Sequence, residues 1–349
     1  MNKLKKIGLS ALAGSLAMTT ANAVDYVIAG DAAIGYTGES ANTSIANGDG
    51  FALDTSIYLD ASGSLDNGWD VSFSMDWDNE SGTVANTSTQ AAVTMGSMGT
   101  IQINQIGGSA GNAIDDVTPS AYEEAYGMGT LADGTSGSNV GGDAGFFGSS
   151  TSSGSIQYTA PAIETAGATI TASIGFDPAA NGGANSFGSS VGGEKGMFYV
   201  LKVAHESGLE IGAGLEEVDT NGNIGTAAGR EAKDEESVTA YAKYAMGPVS
   251  VGIQQSYQDT LDGGADFEAD MWSIAYTAGD VSISYGETET TTKAVSAAAR
   301  TTDADAIAIS YSMGSMTIQA QKSEQARSIA GTAGSTTLDE TGIKVSFAF

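Results

Sequence analysis

From residue 24 onward, apolar and polar side chains alternate with a period of two, the mark of strands that have one apolar face. Tyr26, Ile28, Ala32, Ile34 and Tyr36 share one face of the opening segment, opposite Asp25, Asp31 and Ala33. In 51–61, Phe51, Leu53, Ile57 and Leu59 oppose Asp54, Ser56, Tyr58 and Asp60; in 69–78, Trp69, Val71, Phe73, Met75 and Trp77 oppose Asp70, Ser72, Ser74, Asp76 and Asp78. The same pattern predicts strands at about 90–96, 100–106, 150–160, 168–176, 196–206, 209–219, 237–246, 249–258, 269–277, 280–288, 304–313, 315–322 and 340–349, sixteen in all with the first three.

The connections sort into two kinds. Those at 97–99, 207–208, 247–248, 278–279 and Gly314 are tight, whereas those at 177–195, 220–236, 259–268, 289–303 and 323–339 are long. The longest interruption, residues 107–149, runs for 43 residues without Lys or Arg and holds Asp115, Asp116, Glu123, Glu124, Asp133 and Asp143. Within it, Thr118 as a cap, Pro119 in a first turn and Gly127 as a stop predict a short helix over 118–127. A structureless stretch of that length in a compact domain is usually either functional or disordered.

Alternation alone fits a soluble sandwich, with its apolar face in a core, or a membrane barrel, with that face toward lipid. An even strand count, with tight turns at one end and long loops at the other, favours the barrel. The predicted fold is all-β: a transmembrane antiparallel up-and-down β-barrel of 16 strands, with residues 107–149 folded into it.

Composition narrows the setting. Lys3, Lys5 and Lys6 precede an apolar run over 7–18 and the small-residue site Ala21-Asn22-Ala23, so residues 1–23 read as a cleaved signal peptide and residues 24–349 as a single barrel domain. The leader takes three of 13 cations with it, leaving 10 against 42 carboxylates and a mature charge of −32 (10 − 42). Such a balance excludes nucleic acid as a partner, because phosphate backbones need cationic surfaces. There is no Cys, so no disulfide-stapled scaffold. After the leader no apolar run approaches the ~20 residues of a membrane helix, so a membrane-spanning form has to be a closed barrel.

The final strand points Ile343, Val345, Phe347 and Phe349 outward and Lys344, Ser346 and Ala348 inward, and the chain stops on the aromatic. With its leader, sixteen strands, longest loop after the fifth strand and terminal Phe349, the mature chain resembles the general diffusion porins of Gram-negative outer membranes, the alphaproteobacterial branch in particular. The resemblance implies a homotrimer in the outer membrane, exported through the Sec pathway, with outer-membrane lipid and lipopolysaccharide around it and Phe349 as assembly signal. It also implies a water-filled channel for passive diffusion of small hydrophilic solutes and ions, narrowed by loop 107–149. Small outward residues at 29–33 and 90–95 suit the trimer contact.

Porin eyelets set loop acids against Arg and Lys on the wall, and here the sequence departs from the family. The first five strands contain no Lys or Arg; Asp31, Asp54, Asp60, Asp70, Asp76 and Asp78 take the inward phase, and only Lys202, Lys243 and Lys344 follow on later strands. The expected constriction is therefore acidic and cation-selective, built from Asp115, Asp116, Glu123, Glu124, Asp54, Asp70 and Asp76.

Other readings compete. A secreted or surface-displayed β-rich adhesin or structural protein would use the same Gly, Ser and Thr content. His205, the single His, would serve a hydrolase only beside a nucleophile and an acid, and no such arrangement stands out. Residues 219–223 copy the opening of a calcium loop, but Ile224 and Arg230 stand where Gly and Glu are needed. No cofactor is predicted beyond loosely bound calcium among crowded loop carboxylates. Tyr26, Tyr36, Trp69, Trp77, Tyr158, Phe198, Trp272, Tyr276, Tyr285, Tyr311, Phe347 and Phe349 could form a sugar track or interfacial girdles; all but Phe198 lie on the apolar phase.

Overall fold

The computed structural model describes residues 25–41, 49–80, 83–126, 131–132, 139–140, 154–180, 194–219, 234–259, 265–294, 298–331 and 335–349. The leader and most of the calcium-loop look-alike lie outside them. Sixteen antiparallel strands close into one barrel: β1 Asp25–Ala41, β2 Asp49–Ser64, β3 Asp70–Glu80, β4 Thr83–Thr94, β5 Thr100–Ile106, β6 Ser155–Thr159 continued by Ile163–Thr165, β7 Ala168–Ala180 and β8 Glu194–His205. The second half comprises β9 Leu209–Asp219, β10 Glu235–Met246, β11 Val249–Asp259, β12 Ala265–Ala278, β13 Val281–Ala294, β14 Arg300–Met313, β15 Met316–Ile329 and β16 Ser335–Ala348. The break in β6 falls at Pro161, which has no N–H for the ladder.

Each strand pairs with its chain neighbours, and β1 pairs with β16 from Asp31↔Ala348 to Ala41↔Leu338. Phe349 extends that seam: its N–H donates to the Gly30 carbonyl at 2.8 Å, and its carbonyl accepts from the Gly30 N–H at 2.9 Å. Closure leaves no open sheet edge in lipid, where an unpaired backbone group costs several kcal/mol. The tight turns at Gly247, Gly279 and Gly314 have φ of 59°, 61° and 64°, the left-handed backbone that short hairpins require.

The barrel is inside out relative to a soluble protein. Leu53, Ile57, Ile103, Ile253 and Ile307 are exposed on the outer face, whereas Ser56, Asn104, Gln157, Thr239, Gln254, Thr302 and Gln321 are buried on the inner one. A sandwich buries the opposite set, so burial distinguishes the two readings of the alternation. The outward aromatics Tyr26, Tyr158, Trp272, Tyr276, Tyr311 and Phe347 belong to this outer surface, while Phe198 points inward with no exposure.

Several strands outrun their predicted ends. β4 begins at Thr83 rather than near 90, β15 reaches Ile329 rather than 322, and β1 continues to Ala41. These upper turns carry polar residues on both faces, so the period-two signal fades while the ladder continues.

Candidate pore constriction

The first described stretch of the long loop, residues 107–126, lies against the inner wall; further on, Leu131–Ala132 pairs with Asn139–Val140 in a short antiparallel ribbon. Gly107 and Gly108, at φ 58° and 70°, turn the chain out of β5. A 3-10 turn at Asn112–Ile114 follows, and the remainder to Tyr126 contains bends and turns but no helix. The helix expected over 118–127 is not formed in its described part, 118–126, and the hydrogen bonds give the reason. A helix would bond each N–H to the carbonyl four residues back; here the barrel wall supplies the partners instead.

Ala110 N–H donates to Gln157 Oε1 (2.7 Å), Val117 N–H to Gln254 Oε1 (2.9 Å), Ala121 N–H to Ser284 Oγ (2.8 Å) and Glu123 N–H to Gln321 Oε1 (2.9 Å). In return, Gln254 Nε2 donates to the carbonyls of Ile114 and Asp115, Ser273 Oγ to Pro119 (2.7 Å), Gln319 Nε2 to Ala121 (3.2 Å) and Gln321 Nε2 to Glu124 (3.2 Å). Glutamine suits these rungs because one side chain both donates and accepts. The loop therefore runs as a strap from β6 to β15.

Two apolar anchors pin the strap. Ile114, fully buried, packs among Phe198, Val200 and Tyr241; Ala125 and Tyr126 pack against Ala269, Met271, Ala304 and Ala306. Burying an isoleucine contributes about 1.5–3 kcal/mol. Glycines clear the space: a Cβ on Gly175 would stand 2.1 Å from the Phe198 ring, and one on Gly252 would stand 2.6 Å from Pro119 Cδ. Phe198 thus proves to be an inward anchor, and Tyr241, absent from the aromatic set picked out by the alternation, is its partner.

Covering β6 to β15 leaves the strap's other side toward β16 and β1–β4. Asp116 is exposed there, and Tyr126 Oη donates to it at 3.5 Å. Burial pushes the Glu124 carboxyl up to about 7, with Asp116 and Glu123 adding to the effect. Burial likewise raises Glu123, while Lys344 beside it pulls the other way and Asp116 adds to the rise. These three carboxylates therefore form one electrostatic group, with Lys344 as the cation that acts on it. Asp115 is half-buried and accepts the Asp116 N–H at 2.9 Å.

The facing wall carries Asp31, Asp54, Asp60, Asp76 and Asp78 on the inner phase of β1–β3. Tyr58 Oη donates to Asp31 at 2.5 Å, Thr87 donates to Asp78, and among the described residues one buried oxygen of Asp54 has no partner. Asp70 lies apart from the others, at the tight-turn rim, where Ser64 Oγ donates to it at 2.6 Å.

Among the described residues the inward cations are few and mostly engaged. Lys243 pairs with Glu210 at 3.2 Å, and Lys202 donates to the Ala113 carbonyl at 3.4 Å. Arg327, which the sequence pattern had left in a loop, is buried on the inner face of β15 with Nε directed at Thr302. His205 sits at a tight turn, where its Nδ1 accepts the Ser207 N–H at 3.1 Å and meets Ser207 Oγ at 2.8 Å. Among the described residues no three acidic or imidazole side chains converge on one point.

Residues 8–321 match the sequence model of a Gram-negative porin family. Comparison with curated proteins by sequence finds no match. Among solved structures, the chain is similar to an anion-selective porin from Comamonas acidovorans, with a TM-score of 0.62, 14% identity and coverage of 94% of this chain and 100% of that one. It is also similar to a triple mutant of the Rhodopseudomonas blastica porin (0.55, 13%, 93% and 100%) and to OmpT, an outer membrane protein of Vibrio cholerae, in a trimer form (0.55, 12%, 95% and 100%). At these identities the likeness establishes the fold.

Proposed function

The chain belongs to the Gram-negative porin family, and for this channel of the outer membrane we propose passive diffusion of small hydrophilic solutes with a preference for cations. One observation supports the preference: the strap carries Asp116, Glu123 and Glu124 as one electrostatic group on which Lys344 acts, and the inner phase of β1–β3 carries Asp31, Asp54, Asp60, Asp76 and Asp78. In a water-filled passage with low-dielectric walls, carboxylates of one sign concentrate counter-ions. Fold does not fix this sign, since the Comamonas acidovorans neighbour is described as anion-selective.

Assembly as a homotrimer is supported by the trimer form of the Vibrio cholerae neighbour and by the small outward residues Ala32, Ala91 and Val93; Ala29 and Ala33, expected on that surface, pair with Tyr58 and Asp54 on the inner face. Contact with lipopolysaccharide is supported by the outer face of β12–β14. Beyond Trp272 it carries Asp270, Glu287, Glu289, Asp303 and Asp305 along one groove, too polar for hydrocarbon and suited to a headgroup layer. We assign no reaction: the His205 ring nitrogen that would serve as a base already accepts a turn N–H. Export through the Sec pathway rests on the leader at 1–23.

The test is single-channel recording in a planar bilayer under a potassium chloride gradient. Replacing Asp115, Asp116, Glu123 and Glu124 by Asn and Gln is expected to move the reversal potential toward zero. An unchanged potential would remove the loop acids from the constriction. Selectivity is also expected to weaken as salt rises past 0.1 M, where the Debye length is ~10 Å.

A further inference from the structure

At the seam of the barrel, three strands bring Ser323 (β15), Glu340 (β16) and Glu39 (β1) into one row on the inner face, through the register pairs Ser323↔Glu340 and Glu39↔Glu340. Glu340 and Ser323 are each 1% exposed. Among the described residues, neither carboxylate oxygen of Glu340 has a hydrogen-bond partner, and neither does the Ser323 hydroxyl. Two carboxylates directly opposite each other repel, and a buried charge without a partner is destabilising. The nearest cation along the same inner face of β16, Lys344, is four residues away and acts on Glu123 instead.

The strap covers this row. Gln321, one inward position from Ser323, holds the backbone of Glu123 and Glu124, and the Glu340 charge is close enough to help raise the Tyr122 hydroxyl. The row is therefore enclosed between wall and loop.

We propose that Glu39, Glu340 and Ser323 form a calcium site that holds the seam of the barrel to its constriction loop. The donor set is all oxygen, as a hard cation requires. Facing residues on paired strands have Cβ atoms about 4.5–5.5 Å apart, which lets both carboxylates reach one ion. Calcium accepts six to eight oxygens in flexible geometry, so waters and the nearby inward Thr37 and Gln325 can complete the shell, whereas magnesium demands a regular octahedron. The ion would neutralise the repulsion between the two glutamates and give the buried oxygens of Glu340 and Ser323 a partner.

The test is calcium chloride titration of the full-length, detergent-purified protein by isothermal calorimetry at pH 7.5, for wild type, Glu340→Gln, Glu39→Gln and Asp116→Asn. Heat-modifiable gel mobility checks that each barrel is closed. One calcium per protomer is expected, bound at least tenfold more weakly in both Glu340→Gln and Glu39→Gln and unaltered in Asp116→Asn. Equal binding in wild type and both glutamate variants would overturn the site, because the ion would then sit elsewhere. An absence of calcium uptake by the folded wild type would overturn it too, leaving the two glutamates to share a proton. The readout is independent of ion selectivity, so it stands or falls separately from the conduction reading.

Discussion

The inner wall is divided into two arcs with different chemistry. From β6 to β15 it presents Gln157, Gln254, Ser273, Ser284, Gln319 and Gln321, each bonded to loop backbone, together with glycines that make room for Phe198 and Pro119. From β1 to β3 it presents Asp31, Asp54, Asp60, Asp76 and Asp78, and among the described residues none of them bonds to the strap. The difference follows from what each group can do. An amide satisfies an N–H and a carbonyl together and carries no charge, so it can dock a loop that is itself acidic. A carboxylate only accepts, repels Asp116, Glu123 and Glu124, and is best left facing water. Neutral amides thus determine where the loop lies, and carboxylates are left to determine what the open side attracts.

The largest break in this division should come from the strap's deepest anchor. Ile114→Ala empties a fully buried position, a change that typically costs about 2–5 kcal/mol. The cost falls on the loop and not on the strand ladder, so protease cleavage within 107–149 and open-channel noise are expected to rise while heat-modifiable mobility stays unchanged. A barrel that failed to close would show that the loop supports the wall, contrary to this account.

Gln254→Ala comes next. It removes the partner of the Val117 N–H and of the Ile114 and Asp115 carbonyls; Val117 and Asp115 are half-buried and water can replace it there, so the cost is about 1–3 kcal/mol, for the buried Ile114 carbonyl. The same two readouts are expected to move in the same direction, by less. Gln254→Glu sharpens the point: it keeps the acceptor, loses the donor and adds a charge beside the loop acids, so it should resemble Gln254→Ala rather than wild type.

Smaller still is the effect of proton uptake. With its carboxyl at about 7, Glu124 is neutral on the acid side and anionic on the basic side, so it gains its charge as pH rises through neutrality. Cation preference should therefore increase between about pH 6 and pH 8, and Glu124→Gln should flatten that rise. A preference that fell over this range in wild type would reverse the sign assigned to the loop group.

How much of this could be read from the chain depended on what surrounded each residue. Where one face meets lipid and the other water, as in Trp69, Val71, Phe73, Met75 and Trp77, the alternation is plain, and the strand count, seam and apolar exterior follow from it. Beyond the apolar band both faces are polar, and the ends of β1, β4 and β15 read as loops; Glu39 and Arg327 on the inner wall were missed for that reason. The loop misled locally. Thr118, Pro119 and Gly127 are sound helix punctuation, but Gln254, Ser284 and Gln321 lie 137, 163 and 198 residues from the N–H groups they take. The acids Asp116, Glu123 and Glu124 were legible as a group because they share one short segment, whereas the placement of Asp70 at the rim depends on the height of a turn.

The central claim is that strap and facing wall together make the passage cation-selective, and reversal potential measured at pH 8 in a potassium chloride gradient tests it most directly. Wild type, a loop variant (Asp116→Asn, Glu123→Gln, Glu124→Gln) and a wall variant (Asp54→Asn, Asp60→Asn, Asp76→Asn) would be compared at one salt ratio. The account predicts a cation-side potential for wild type and a shift toward zero in each variant, with both barrels still closed. A wild-type potential on the anion side, or one that neither variant moves, would contradict it.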